Sequence, residues 1–270
     1  MKRRTISSFA VTVALSVGIA SAADAEFPTT PIRRCAADAV PVGAACLDKY
    51  EATVWRVPAP AAANATLVRR IQLGIATHTE LTARGATQLG ASRDDYEPCA
   101  DGGESCADEI YAVSLPSEIP SSRITWVQAQ EACANSRKRL PTSAEWQVGA
   151  NGTPDPGPDD GATDCNSGGT GTVDRTGARS ACVSARGAFD MVGNVEEWVS
   201  DWVPLSTVCV GWGAFSDDEM CLSGASTTEL GPGALVRGGS FVVSGSAGPL
   251  RVIDVRPSFS SRFFGFRCVR

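Results

Sequence analysis

G-A-F-D-M-V-G-N-V-E-E-W, Gly187 to Trp198, is the stretch on which the fold of this chain turns. Two hard oxygen donors, Asp190 and Glu197, flank Gly193, a residue that permits a tight backbone path. A loop curling around a cation offers both carboxylates plus the carbonyls of Gly193 and Val195, and Ca²⁺ takes such an oxygen-only set. The residues alone also suit a plainer arrangement, with Asp190 and Asn194 capping turns and Glu197 a solvated carboxylate. Three further blocks accompany this stretch. K-R-L-P-T-S-A-E-W, Lys138–Trp146, lies upstream, while R-G-G-S-F, Arg237–Phe241, and F-G-F-R-C-V-R, Phe264–Arg270, lie downstream.

In this order the four blocks resemble the formylglycine-generating enzyme (sulfatase-modifying factor) family, over most of the mature chain, roughly Cys46 to Cys268. The resemblance implies an α+β fold, irregular and loop-rich, of the C-type lectin-like kind and stapled by disulfides. It implies calcium at Asp190, Gly193, Val195 and Glu197, in a structural role since nothing nucleophilic adjoins. A second calcium is implied in the preceding loop, at Asn166 and Asp174, with backbone oxygens completing its shell.

The family's chemistry does not carry over. Its members oxidise a cysteine of a substrate protein with O₂ and copper(I), held by two cysteines five residues apart just after R-G-G-S. Soft thiolates suit Cu(I). Here those places fall on Val243 and Gly248, and no cysteine lies between Cys221 and Cys268. No catalytic residue and no copper are therefore expected; the alternative is a copper-dependent oxidoreductase making formylglycine through an altered site. A sister branch uses histidine-held iron, and this chain has one histidine, His78. G-x-S-x-G, H-E-x-x-H and P-loop signatures are absent as well.

Composition sets the remaining bounds. Residues 1–25 read as a signal peptide: Lys2, Arg3 and Arg4, then an apolar run from Phe9 to Ala20, then Ala23-Asp24-Ala25 as cleavage site. Its removal leaves 21 basic against 29 acidic residues, a net charge of −8. Such a chain has no counterion-release handle on nucleic acid, and an anionic membrane surface repels it. The apolar run is too short for a membrane anchor. Residues 26–44 read as a lead-in and 45–270 as one domain.

All ten cysteines follow the cleavage site, and an even count in an exported chain reads as a disulfide framework. Spacing alone does not choose among the pairings. Close pairs suggest local loops: Cys35 with Cys46, Cys99 with Cys106, Cys165 with Cys182, Cys209 with Cys221. That leaves Cys133 and Cys268, the long-range bridge that the resemblance implies.

Cys46–Trp55 has the β-branched and aromatic content of a strand. Leu67, Ile71 and Ile75 suit a helix, against Gly74 and Gly85. Thr125 with Gln128, and Thr142 with Glu145, are helix-start signals, the first heading a stripe of Trp126, Ala129, Ala132 and Cys133. Asp94–Glu109 reads as an acidic loop, Asn151–Thr172 as a long one, and Val236–Phe241 and Phe263–Val269 as strands. Trp126, Trp146, Trp198 and Trp202 read as core, and Arg237 and Arg267 as partners of buried carboxylates or carbonyls.

Trp212, in a Gly-rich loop, is a candidate contact for a peptide or sugar. Arg251, Arg256 and Arg262 are candidate groove residues for an anionic or peptide ligand. The expectation is an exported, periplasmic or secreted, calcium-stabilised binding module for a peptide, protein or glycan.

Overall fold

A computed structural model describes residues 34–96, 110–155, 159–168, 170–204, 210–211, 219–220 and 232–270. Ile32–Arg270 forms one compact unit; the expected signal peptide lies outside the described residues.

The chain opens with β1 (Ala39–Val42) and β2 (Ala45–Asp48), an antiparallel pair whose first strand lies within the stretch read as a lead-in. The single strand expected over Cys46–Trp55 is two, because β3 (Ala52–Arg56) starts afresh in another sheet. Between them the Lys49 N–H turns to the Asp38 carbonyl at 2.7 Å and the Tyr50 N–H to Ser114 Oγ at 3.1 Å. That break carries Glu51 into the interior, fully buried.

Next come α1 (Ala65–Gln72) and α2 (His78–Ala83). Leu67 and Ile71 bury the inner face of α1. Ile75 is left exposed, because Gly74, at φ +70°, has already ended the helix. A capping box of Thr77 and Glu80 starts α2. β4 (Thr87–Leu89) and β5 (Ile110–Ser114) flank β3 in a three-stranded antiparallel sheet.

α3 (Trp126–Asn135) and α4 (Ser143–Ala150) begin at the threonines expected, each with a complete capping box. Satisfying orphan N–H groups this way contributes about 1 kcal/mol per cap. β6 (Glu196–Pro204), β7 (Val210–Gly211), β8 (Glu219–Met220), β9 (Pro232–Gly238), β10 (Gly248–Val255) and β11 (Phe264–Phe266) form the second large sheet. Its order is β11-β6-β9-β10-β8-β7, with β11 parallel to β6 and β10 parallel to β8. The G-A-F-D-M-V-G-N-V stretch thus feeds directly into a central strand.

Trp198, Val236 and Phe266 of that sheet pack with Ala129, Cys133 and Leu140 against Val54 and Ala112 of the three-stranded one. A second cluster gathers Trp146, Leu47, Met191 and Val269, and a third Trp55, Ile71, Leu81 and Tyr111. Among the described residues three disulfides are formed: Cys35–Cys46, Cys133–Cys268 and Cys165–Cys182. The expected pairs Cys99–Cys106 and Cys209–Cys221 lie outside the described residues, as does most of the acidic loop. The fold is the expected α+β type, loop-rich and stapled. No helix among the described residues is long and apolar enough to cross a membrane.

Candidate functional site

The D-M-V-G-N-V turn is held by left-handed backbone at Asp190 (φ +56°), Gly193 (+75°) and Asn194 (+57°). Gly193 has a further reason to be glycine, since a Cβ there would lie 2.3 Å from the Asn166 carbonyl oxygen. Asn194 uses its whole amide. Its Oδ1 accepts from the Asp174 N–H at 2.8 Å and Asn166 Nδ2 at 3.2 Å. Its Nδ2 donates to Glu51 Oε2 at 2.6 Å and the Asp174 carbonyl at 3.2 Å. Glu51 Oε1 then accepts the Val195 N–H at 3.1 Å. One asparagine and one glutamate therefore lock three distant segments to the start of β6.

Beside this lock sits a buried charge cluster. Glu197 accepts from Arg267 through both oxygens, Nη2 to Oε1 at 2.6 Å and Nε to Oε2 at 2.7 Å. Trp146 Nε1 adds a third donor, to Oε2 at 2.7 Å. Arg267 also donates to the carbonyls of Asp48 at 3.1 Å and Phe189 at 2.8 Å. Asp190 Oδ2 accepts the Gly177 N–H at 2.7 Å. Burial pushes the Asp190 carboxyl up to about 7, against the Gly177 hydrogen bond and the Arg267 charge, with Glu197 and Asp174 adding to the rise. Burial, then the charges of Asp190 and Glu197, holds Glu51 well above the usual carboxylate range.

The cluster bears on the first expected calcium. The fold brings Asp190 and Glu197 together and adds Glu51, so three carboxylates face one guanidinium. A hard divalent cation takes oxygen donors of this kind, but Arg267 and Trp146 already occupy both Glu197 oxygens and the Gly177 N–H one of Asp190's, so a calcium would have to displace them. No group of three or more His, Cys, Asp or Glu side chains among the described residues is arranged to hold a metal, so a calcium here would lean on backbone carbonyls. Asp190, Glu197 and the carbonyls of Gly193 and Val195 would hold it, in a purely structural role.

The second expected site does not fit. Asn166 Nδ2 already donates to the Thr172 carbonyl and its Oδ1 accepts from Thr170 Oγ1 at 2.9 Å. Asp174 is taken by Arg179 Nε at 2.8 Å and by the Arg175 N–H at 2.8 Å. Arg179, its side chain 3% exposed, also binds Asp159 at 3.0 Å. A covalently attached cation thus fills the role expected of a metal. Nothing in the spacing of Asn166 and Asp174 announced Arg179.

The two positions that match the copper cysteines lie beyond Ser240. Val243 packs against the Cys165–Cys182 cluster, and Gly248 opens β10 opposite Gly238. Three residues on, Arg251 turns inward to Glu196, with Nε at 3.1 Å and Nη2 at 2.9 Å from Oε1. Its Nη1 reaches the Ser246 carbonyl at 3.4 Å, and its Cδ lies where a Cβ on Gly239 would meet it, 3.1 Å away. Arg251 is therefore no groove residue; it is 5% exposed and committed to an internal ion pair.

Arg237 stacks on Trp146 at 4.7 Å and donates to Gln147 Oε1 and to the Pro249 carbonyl. Arg256 is exposed at the end of β10, and Trp212 lies outside the described residues. Trp146 and Trp198 are core, whereas Trp202 is 45% exposed and edge-on to half-buried Trp126 at 4.9 Å. Glu51 was missed as a site residue; its place in Y-E-A-T, Tyr50–Thr53, was the available signal.

A family model described as "Sulfatase-modifying factor enzyme 1-like domain" matches residues 100–270. Among solved structures, the chain is similar to the Major Tropism Determinant M1 variant at 19% identity and TM-score 0.45, covering 86% of this chain and 52% of that one. It is similar to CarF at 17% identity and TM-score 0.41, covering 84% and 85%. PvdO from Pseudomonas aeruginosa matches at 18% identity and TM-score 0.40, covering 84% and 80%. The chain spans about half the length of the tropism determinant it matches. A search of curated proteins returns no match.

Proposed function

The chain belongs to the sulfatase-modifying factor enzyme 1-like domain family, and within it we propose a non-catalytic, exported, calcium-stabilised binding module. The observation that carries this reading is the Glu196–Arg251 ion pair, its side chains 5% and 6% exposed, set beside the two positions that match the family's copper cysteines. Neither Val243 nor Gly248 bears a thiol, and every cysteine among the described residues is in a disulfide. Cu(I) in this family needs a soft thiolate pair. Three disulfides support export, since such bridges persist in oxidising compartments. Family fold and family activity separate readily once the reacting groups are gone.

The test is to reconstitute the purified, oxidised protein with Cu(I) and offer it a cysteine-containing peptide with O₂. The expected result is no retained copper and no aldehyde product. Stoichiometric copper with turnover would overturn the proposal in favour of an altered oxidase centre.

A further inference from the structure

We infer a binding subsite for a small, doubly charged oxyanion between Arg123 and Arg262, which gives the proposed binding module its ligand chemistry and rests on that reading. A cavity of about 180 Å³ is lined by Ser92, Ser122, Arg123, Thr172, Phe241 and Arg262, with Ala91 and Val173. The Arg123 N–H donates to the Ser261 carbonyl at 2.9 Å, so the two arginines stem from backbones tied side by side.

Neither guanidinium has a carboxylate partner among the described residues. Arg123 Nη1 reaches Ser122 Oγ at 3.4 Å, and Arg262 lies over the rings of Phe241 at 5.5 Å and Phe263 at 4.9 Å. By contrast, the buried or half-buried arginines Arg179, Arg251, Arg267 and Arg270 close on acids. In a chain with 30 acidic against 24 basic residues, two arginines at one cavity without a carboxylate among the described residues are not a matter of short supply. Asp95, on the adjoining segment, is taken by the Gly90 N–H at 2.7 Å and by Arg93.

The placement of both arginines is supported. Arg123 sits at φ +58°, a backbone state that costs a non-glycine residue energy and persists where its surroundings impose it. Arg262 lies over two aromatic rings, which favour that placement of its guanidinium. Guanidinium forks suit carboxylate and phosphate oxygens, two of them suit two negative charges, and the hydroxyls of Ser92 and Thr172 add donors, that of Ser122 being given to the Gly90 carbonyl. Volume decides the class: cavities for drug-sized ligands begin at about 300 Å³. The occupant is therefore a phosphate or a short dicarboxylate. The larger cavity, of about 540 Å³ between α1 and α3, has exposed arginines, Arg69 and Arg137, without a ring to hold them.

The experiment titrates the oxidised full chain, at low ionic strength in chloride, with inorganic phosphate in one arm and succinate in the other. Wild type is compared with Arg123→Gln and Arg262→Gln, and thermal unfolding checks that each is folded. Arg262 is exposed, so its variant keeps the test informative should Arg123→Gln misfold. The expected result is one saturable site for at least one probe, weakened tenfold or more in every folded variant; the arm that saturates identifies the chemistry. Absence of saturation below about 10 mM in both arms, or wild-type affinity in a folded variant, overturns the subsite. Peptide turnover would refute the non-catalytic reading without touching this titration.

Discussion

Arg267 and Glu197 are joined by two parallel hydrogen bonds of 2.6 and 2.7 Å, with side chains 0% and 1% exposed. The guanidinium spends its other donors on the carbonyls of Asp48 and Phe189, so it ties β2, the Asp190 turn and β6 to the C-terminal strand. Removing one partner strands a buried charge, which costs about 3–5 kcal/mol. Arg267→Met is therefore expected to lower unfolding free energy by that amount in urea denaturation. Combining it with Glu197→Gln should recover part of the loss. A single variant within 1 kcal/mol of wild type, on the scale of an exposed pair, would show that the pair is not closed in solution.

The Cys133–Cys268 bridge spans 135 residues and fastens α3 to the end of the last strand. Loop-closure entropy assigns it about 5 kcal/mol, against about 3 kcal/mol for the 17-residue Cys165–Cys182 loop. Replacing Cys133 and Cys268 by serine should thus lower the denaturation midpoint more than replacing Cys165 and Cys182. Equal shifts would mean that native packing, rather than the unfolded chain, sets the effect.

Glu145 predicts an acid-side loss. Hydrogen bonds from Arg139, then from Thr142, lower its carboxyl from 4.5 to about 2 despite partial burial. A folded-state value below the unfolded one stabilises above pH 4.5 and fades as pH falls toward 2. Arg139 is half exposed, so solvent screening leaves about 1 kcal/mol. Unfolding free energy measured between pH 5 and pH 2 should lose about that much more in wild type than in Glu145→Gln, and parallel curves would remove Glu145 from the acid response.

How much of this was legible depended on whether a contact is local. The capping boxes at Thr125 and Thr142 could be read because cap and partner sit three residues apart. The motif blocks located the Asp190–Glu197 turn for a similar reason. What the sequence hid joins distant segments: Glu51 bonds Asn194 across 143 residues. Arg251 turns inward to Glu196 across 55, where a groove residue was expected. Trp202 sits four residues past buried Trp198, yet the strand register shifts between them and Trp202 emerges into solvent. A bulge of that kind leaves no mark in composition.

Calcium is the last test, and stoichiometry gives it an edge. The Asp190 cluster has more carboxylates than guanidinium groups, whereas Arg179 already occupies Asp174 and Asp159. One calcium per chain is therefore expected, not two. Binding to the folded state alone adds about 2.7 kcal/mol at a hundredfold excess over Kd, or roughly 5–10 °C in Tm for a domain of this size. Magnesium should not reproduce the shift, because its smaller shell demands near-octahedral geometry. Asp190→Asn keeps a residue that tolerates φ +56° while removing one charge, and should weaken the calcium response without preventing folding. If chelated protein melts at the same temperature with and without calcium, Arg267 alone serves as the cation of this cluster, and the fold stands without the metal.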